Sequence, residues 1–285
     1  GGVDVALTEA EAHSLRTTAG RWKVESIVHE CLASQDYHKV EPALSRSIRL
    51  AYFLPDRAQV RNPRHLKALA VAATQRGARL EPGRAVEQII TSGDRATAVR
   101  AGGRSISCGW VVVAAGAWSG GLLGRSGVVA PTPPLKGQIV LKSDFPLLRR
   151  IVEHGKNYLV PRRDGRILIG ATEESSGFDT RPTARGFRDL LMKAYRLCPA
   201  IEAAEVEATW AGLRPGSIDT KPYLGLAPGF SNLVVATGHK RAGLQLSPAT
   251  AELVADLILQ RPPRMDLTPF RLDRDPDTTE DTFRS

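Results

Sequence analysis

The chain has 285 residues, a length that suits about two domains, with 39 Lys and Arg against 30 Asp and Glu for a net charge of +9. No apolar run approaches the roughly 18 residues of a membrane-spanning helix. Acidic residues are interspersed among the basic ones, and no aromatic-interleaved basic stripe occurs, which argues against nucleic acid as a partner. Three cysteines, Cys31, Cys108 and Cys198, have no CxxC or metal-ligand spacing. They read as reduced thiols of a cytoplasmic protein, with no metal site expected.

Residues 3–33 read as a short strand and two helices, with Thr8 and Glu11 spaced for a capping box. A strand at 48–54 lies between Glu41-Pro42 and Pro55-Asp56. Asn62 at a cap, Pro63 at the first helical position and Leu66, Leu69, Ala70 and Ala73 at helical spacing predict a helix that Gly77 ends. A strand is expected to begin at 78–80. Residues 86–90 and 97–100 form a strand pair about Ser92-Gly93-Asp94. Residues 110–114 are a continuous apolar run short enough for a buried strand. They stop at Ala115-Gly116, after which 117–123 can form a helical turn. Pro131, Pro133 and Pro134 mark a crossing between regions.

From 135 to 170 the pattern turns strand-rich, with Asp164-Gly165 as a hairpin turn between two arms. Residues 183–197 make an amphipathic helix, and 205–210 and 233–236 are strands. A last helix, 248–259, starts at Ser247-Pro248 and carries Leu253, Val254, Leu257 and Ile258 on one side. Past Arg261-Pro262-Pro263 the tail is charged and Thr-rich, and little order is expected beyond Phe270. There is no internal repeat.

Four stretches could carry chemistry. WVVVAAGAWSG (110–120) runs an apolar strand into small residues, so that backbone can approach a ligand; a core strand closed by a glycine turn would read the same. In NYLVPRRDGRILIGAT (157–172), Tyr158 is either a phenol able to donate to a carboxylate or a ring packed in a sheet. Arg214, on the turn of WAGLRP, can hold a carboxylate through two parallel bonds or lie at the surface. GHKRAGLQ (238–245) joins a strand to a helix, offering backbone N–H groups to a ligand with Arg241 beside them. His239 in that loop reads as packed or ligand-touching rather than as a general base.

In this order the four motifs resemble the D-amino-acid oxidase superfamily of FAD-dependent oxidoreductases, on the branch of the thiamine-pathway glycine oxidases, over about residues 3–259. The resemblance implies an α/β (α+β) two-domain flavoprotein. An incomplete three-layer FAD-binding domain would take 54–123 and 210–259, a mixed antiparallel-sheet substrate domain 1–53 and 124–209, with 260–285 as a tail. It implies FAD held by Val86, Ala114, Ala115, Gly116, Trp118 and the loop Gly238, His239, Lys240, Arg241, Ala242, Gly243, Leu244 and Gln245. Tyr158, Arg214 and Arg241 would surround the substrate carboxylate.

The implied reaction is oxidative deamination of glycine or another small amino acid or secondary amine, with molecular oxygen as acceptor and hydrogen peroxide as product, in the service of thiazole synthesis. A D-amino-acid or sarcosine-type oxidase is the neighbouring reading, and a tRNA-modifying oxidase a more distant one. Two positions depart from the family pattern. Lys240 stands where an aromatic residue is usual and Glu173 where an apolar one is; either bears against glycine itself as the best substrate, unless both side chains turn outward. The first βαβ unit, with its pyrophosphate glycines and ribose acid, is missing from the sequence. The 285-residue chain alone is therefore expected to bind FAD poorly, and a catalytically incompetent fragment is the reading of another class. A homo-oligomer is compatible with the sequence.

Overall fold

The computed structural model describes residues 1–33, 36–143 and 147–276. β1 (Gly2–Ala6) leads into α1 (Glu9–Val24), whose capping box is complete: Glu11 N donates to Thr8 Oγ1 at 3.2 Å, and the Glu11 carboxylate accepts from Thr8 N at 2.9 Å. Ser26, at φ +58°, ends this helix. The chain then turns into β2 (Glu30–Leu32), so residues 3–33 hold one helix and two strands, not the two helices expected. Cross-strand pairing to β3 outweighs helical propensity there.

A short α2 (Tyr37–Val40), β3 (Leu50–Leu54) and α3 (Asn62–Gln75) follow. Leu66 and Leu69 of α3 stay 68% and 51% exposed. Residues 78–80 are not a strand, because no ladder forms beside them among the described residues. β4 (Val86–Ser92), β5 (Arg95–Ala101) and β6 (Arg104–Ser107) make a small antiparallel sheet. β6 is exposed throughout and Ile106 is its one apolar residue, so its sequence lacks the alternation that announces a strand.

β7 (Val111–Val113) runs through a 3-10 turn into α4 (Ser119–Gly124). Next come β8 (Pro134–Ser143), β9 (Ile151–His154), β10 (Asn157–Pro161) and β11 (Ile167–Gly170), then α5 (Ala184–Leu197), β12 (Glu205–Pro215), β13 (Tyr223–Leu226), β14 (Leu233–Thr237) and α6 (Gly243–Ile258). The eight-stranded sheet has the order β12-β8-β11-β10-β9-β1-β3-β2 and is antiparallel except where β1 runs parallel to β9. One face packs Val3, Val5, Val140, Val152, Leu159, Ile167 and Ile169 against Leu190, Ala194 and Leu197 of α5.

A second core gathers Val111 and Val113, Leu123, Tyr223, Leu233 and Val235 around the three-stranded sheet β13-β14-β7. Asn232 ties this sheet to the small one: its Nδ2 donates to the carbonyls of Ala96 and Gly109, both at 2.7 Å, and its Oδ1 accepts from Ala96 N at 2.8 Å. Residues 210–215 lie in β12, paired with β8 in the large sheet. We therefore propose that the boundary between the two parts falls after Pro215 rather than before Trp210.

Two further expectations change. α6 starts at Gly243, five residues ahead of Pro248, which lies inside the helix. Proline there removes the N–H that would serve the Leu244 carbonyl, and Ser247 Oγ donates to that carbonyl instead at 2.8 Å. The chain also keeps its packing past Phe270, since Leu272 is buried in the second core and Arg274 is ion-paired to Asp219. Residues 277–285 lie outside the described residues. No helix among the described residues is long and apolar enough to cross a membrane.

Candidate active site

Antiparallel register brings Tyr158 and Arg214 together from strands far apart in sequence. On β12, Gly212 pairs with Gly137 and Arg214 with Leu135. The guanidinium folds back over Gly137, where an added Cβ would fall into it. Tyr158 on β10 pairs with Gly170 on β11, and its ring covers that glycine in the same way. Both side chains need a strand glycine beneath them because each lies flat on the sheet instead of standing off it.

Arg214 Nη1 donates to the carbonyl of Thr172 at 3.2 Å. Burial pushes the Arg214 pKa down; the Tyr158 phenol and the Glu173 carboxylate oppose this, and Arg241 adds to it. A guanidinium nevertheless stays charged. Burial pushes the Tyr158 phenol up against the pull of Arg214, Arg241 and Arg162, so it keeps its proton and can donate. Arg241 reaches over from the loop after β14 and donates to the Lys156 carbonyl at 3.0 Å.

A polar network absent from the sequence reading fixes the Thr172 carbonyl. Lys136, only 2% exposed, pairs with Glu174 at 3.1 Å. Gln138 Nε2 donates to Glu174 at 2.6 Å and to Thr183 Oγ1 at 3.0 Å, Thr183 N donates to Gln138 Oε1 at 2.8 Å, and Gln138 N donates to Thr172 Oγ1 at 2.9 Å. Glu174 is thereby committed to structure, whereas Glu173 is exposed and acts on Arg214 through its charge. The only sequence signal for Gly137, Gln138 and Gly170 is a glycine or a polar residue inside an otherwise apolar strand.

The second half of the site is built from backbone. β7 and β14 run parallel, with Val113 beside Val235, so Ala114, Ala115 and Gly116 end next to Gly238. Thr237 Oγ1 donates to the Gly116 carbonyl at 3.0 Å and accepts from Ser119 Oγ at 3.1 Å. Gly116 and Gly238 have φ of +56° and +77°, and Lys240 takes +48°, its N–H donating to the Pro215 carbonyl at 2.9 Å. Ala242 precedes α6 without a side-chain cap, leaving the N–H groups of Gly243, Leu244 and Gln245 without intrahelical acceptors. His239 Nε2 lies 3.1 Å from Thr250 Oγ1, and burial pushes its pKa down, so the ring is neutral at pH 7.

Trp118 and Val86 complete the set of expected cofactor residues. Trp118 is 58% exposed and turns its ring to Phe178, 5.8 Å away between centroids. Val86 opens β4 in the small sheet and is 40% exposed. Residues 114–116 and 238–245 fit an electron-poor group that carries or gains negative charge, such as a flavin. Residues 114–120 and 238–245 carry no acidic side chain, the strand ends are nearly free of bulk, and a helix amino terminus is open beside them.

A family model described as FAD dependent oxidoreductase matches residues 1–257. The glycine oxidase of Pseudomonas aeruginosa is 41% identical over 241 residues, covering 83% of this chain and 65% of that protein. The glycine oxidase of Geobacillus kaustophilus is 37% identical over 276 residues, covering 95% of this chain and 73% of that one. A crystal structure of glycine oxidase from the latter organism matches with a TM-score of 0.91 over 96% of this chain and 75% of that chain. A bifunctional ThiO/ThiG protein of Synechocystis is 36% identical over 228 residues, covering 78% of this chain and 34% of that protein. The chain thus spans just under two thirds of the length of the Pseudomonas relative.

Proposed function

The chain belongs to the FAD dependent oxidoreductase family, and from that premise we propose that its site oxidises glycine or another small amino acid or secondary amine to the imine. The observation that carries the reading is the state of Arg214. Among the described residues this largely desolvated guanidinium bonds only a neutral carbonyl and enters no ion pair within 4 Å. A cation so placed is poorly compensated, and a substrate carboxylate would complete it through two parallel bonds.

Tyr158, held protonated, adds a donor to the same carboxylate, and Arg241 closes the side nearest the helix. Fixing the carboxylate fixes the Cα–H direction, which is the main contribution the protein makes to this kind of oxidation. Gly116 and the 238–245 loop would hold the isoalloxazine, with the α6 amino terminus favouring negative charge there. FAD, when bound, supplies the two-electron acceptor that lets the amine become an imine and oxygen become hydrogen peroxide. His239 is neutral and engaged with Thr250, consistent with alignment rather than base catalysis. The ThiO/ThiG relative supports a role in thiazole assembly for thiamine.

The test is anaerobic addition of glycine to the purified, FAD-loaded protein. Bleaching of the flavin absorbance by glycine, and peroxide on admitting air, are expected. Bleaching by sarcosine or a D-amino acid but not glycine would move the reading to those amines. A flavin-loaded protein that none of them bleaches would overturn it.

A further inference from the structure

The segment after α6 returns to the second core and to the turn before β13. Leu272 is buried beside Tyr223 and Val235 in the second core. Two residues on, Arg274 donates to both carboxylate oxygens of Asp219, at 2.6 and 2.8 Å, and to the carbonyls of Lys221 at 2.8 Å, Pro222 at 3.3 Å and Arg271 at 2.8 Å. Its guanidinium also stacks on the Tyr223 ring, 4.5 Å from the centroid. The two charged side chains are 7% and 0% exposed. Such a pair is weak support for stability, since desolvation offsets its attraction, but it fixes geometry.

What it fixes is the turn between Arg214 and β13. The start of that turn is held by Gly216 N donating to the Pro133 carbonyl at 2.8 Å, and Pro215 O accepts from Lys240 N at 2.9 Å. At its end Tyr223 lies against Gly238, where an added Cβ would come within 3.1 Å of the ring. One turn therefore touches both halves of the site, the strand that carries Arg214 and the loop that leads to α6.

We infer that Arg274 is a positioning residue: through Asp219 it holds the 216–222 turn so that Arg214 and the Gly238 loop keep the relative placement a substrate carboxylate needs. The inference rests on Arg214 being the carboxylate anchor. Lysine cannot replace the bidentate, stacked guanidinium, so charge alone is not sufficient.

The experiment follows the Arg214 side-chain Nε–H by NMR while glycolate is titrated into the FAD-loaded protein, its resonance assigned by its loss in Arg214→Lys. Three variants are compared with the parent: Arg274→Met, Arg274→Lys, and the double variant Arg274→Met with Asp219→Asn, which leaves no lone buried charge. Thermal midpoints are measured alongside. The double variant is expected to hold a midpoint near the parent's while its glycolate Kd rises about tenfold, the scale of a small misplacement of an anchoring group. Arg274→Lys should recover only part of this. KM for glycine should rise and kcat should fall with it, because the anchor also sets the Cα–H direction. A folded double variant that binds glycolate as the parent does overturns the inference. A parent whose Arg214 signal ignores glycolate overturns the anchoring role, and the positioning role with it.

Discussion

The two halves of the site are made by different means. Around Tyr158 and Arg214 the chemistry lies in long side chains laid over glycines of neighbouring strands, backed by the Lys136–Gln138–Glu174 network. At the ends of β7 and β14 it lies in backbone N–H groups, where Ala114, Ala115, Gly116 and Gly238 keep bulk out of the way. The first kind can be deleted one group at a time. The second can only be displaced, by adding volume or forcing dihedrals, because no substitution removes an N–H short of proline. Single substitutions should therefore separate substrate affinity from cofactor retention.

The largest effect is expected at Arg214. Arg214→Ala should lower kcat/KM for glycine by about three orders of magnitude, the size seen when the partner of a desolvated charge is removed. FAD retention after gel filtration should match that of the parent, because the backbone half is untouched. An unchanged kcat/KM would remove Arg214 from the mechanism, and a loss of FAD in step with activity would merge the two halves into one.

A pair of glycine substitutions sharpens the contrast. At Gly170 an added methyl group meets the Tyr158 ring and hydroxyl, so Gly170→Ala should weaken glycine binding and leave FAD bound. At Gly238 the backbone sits at φ +77°, with Tyr223 3.1 Å and Ser217 3.3 Å from an added Cβ. Left-handed backbone costs a non-glycine residue about 1–2 kcal/mol, so Gly238→Ala should lower FAD retention first. Visible absorbance of the purified variants, followed by glycine titration where flavin remains, checks both; the same order of losses in both variants would refute the division.

The same division explains what the sequence revealed. The backbone half was legible because apolar strands running into glycine are local patterns, and VVVAAG and the strand before GHKRAG sit where expected. Tyr158, Arg214 and Arg241 were legible one by one through the resemblance, while their supports were not. Gly137, Gly170 and Gln138 acquire meaning only from the pairing of β8 with β12 and of β10 with β11, which register decides. α6 was misplaced because Ser-Pro usually opens a helix, and only Ser247 Oγ on the Leu244 carbonyl lets this proline sit inside one. The segment at 271–274 was taken as loose because its composition is polar, and nothing local announces that Arg274 meets Asp219, 55 positions earlier.

The smallest effect expected is a dependence on acid confined to the side-chain half. Burial alone would raise the Glu174 pKa, but hydrogen bonds from Thr172, Gln138 and Lys136 outweigh it and hold the carboxyl below its usual 4.5. A carboxylate depressed on folding contributes stability that is whole above the unfolded value and is lost as pH falls through the folded one. Lowering the pH from about 5.5 to about 3 should therefore loosen the network that aims the Thr172 carbonyl at Arg214. In Glu174→Gln the thermal midpoint should fall less steeply over that range than in the parent, with the two curves converging in acid. Glycolate affinity should follow the same difference. The strand ends of β7 and β14 carry no carboxylate to titrate, so a parent that shed FAD before it lost glycolate over this range would place the acid-sensitive element in the backbone half instead.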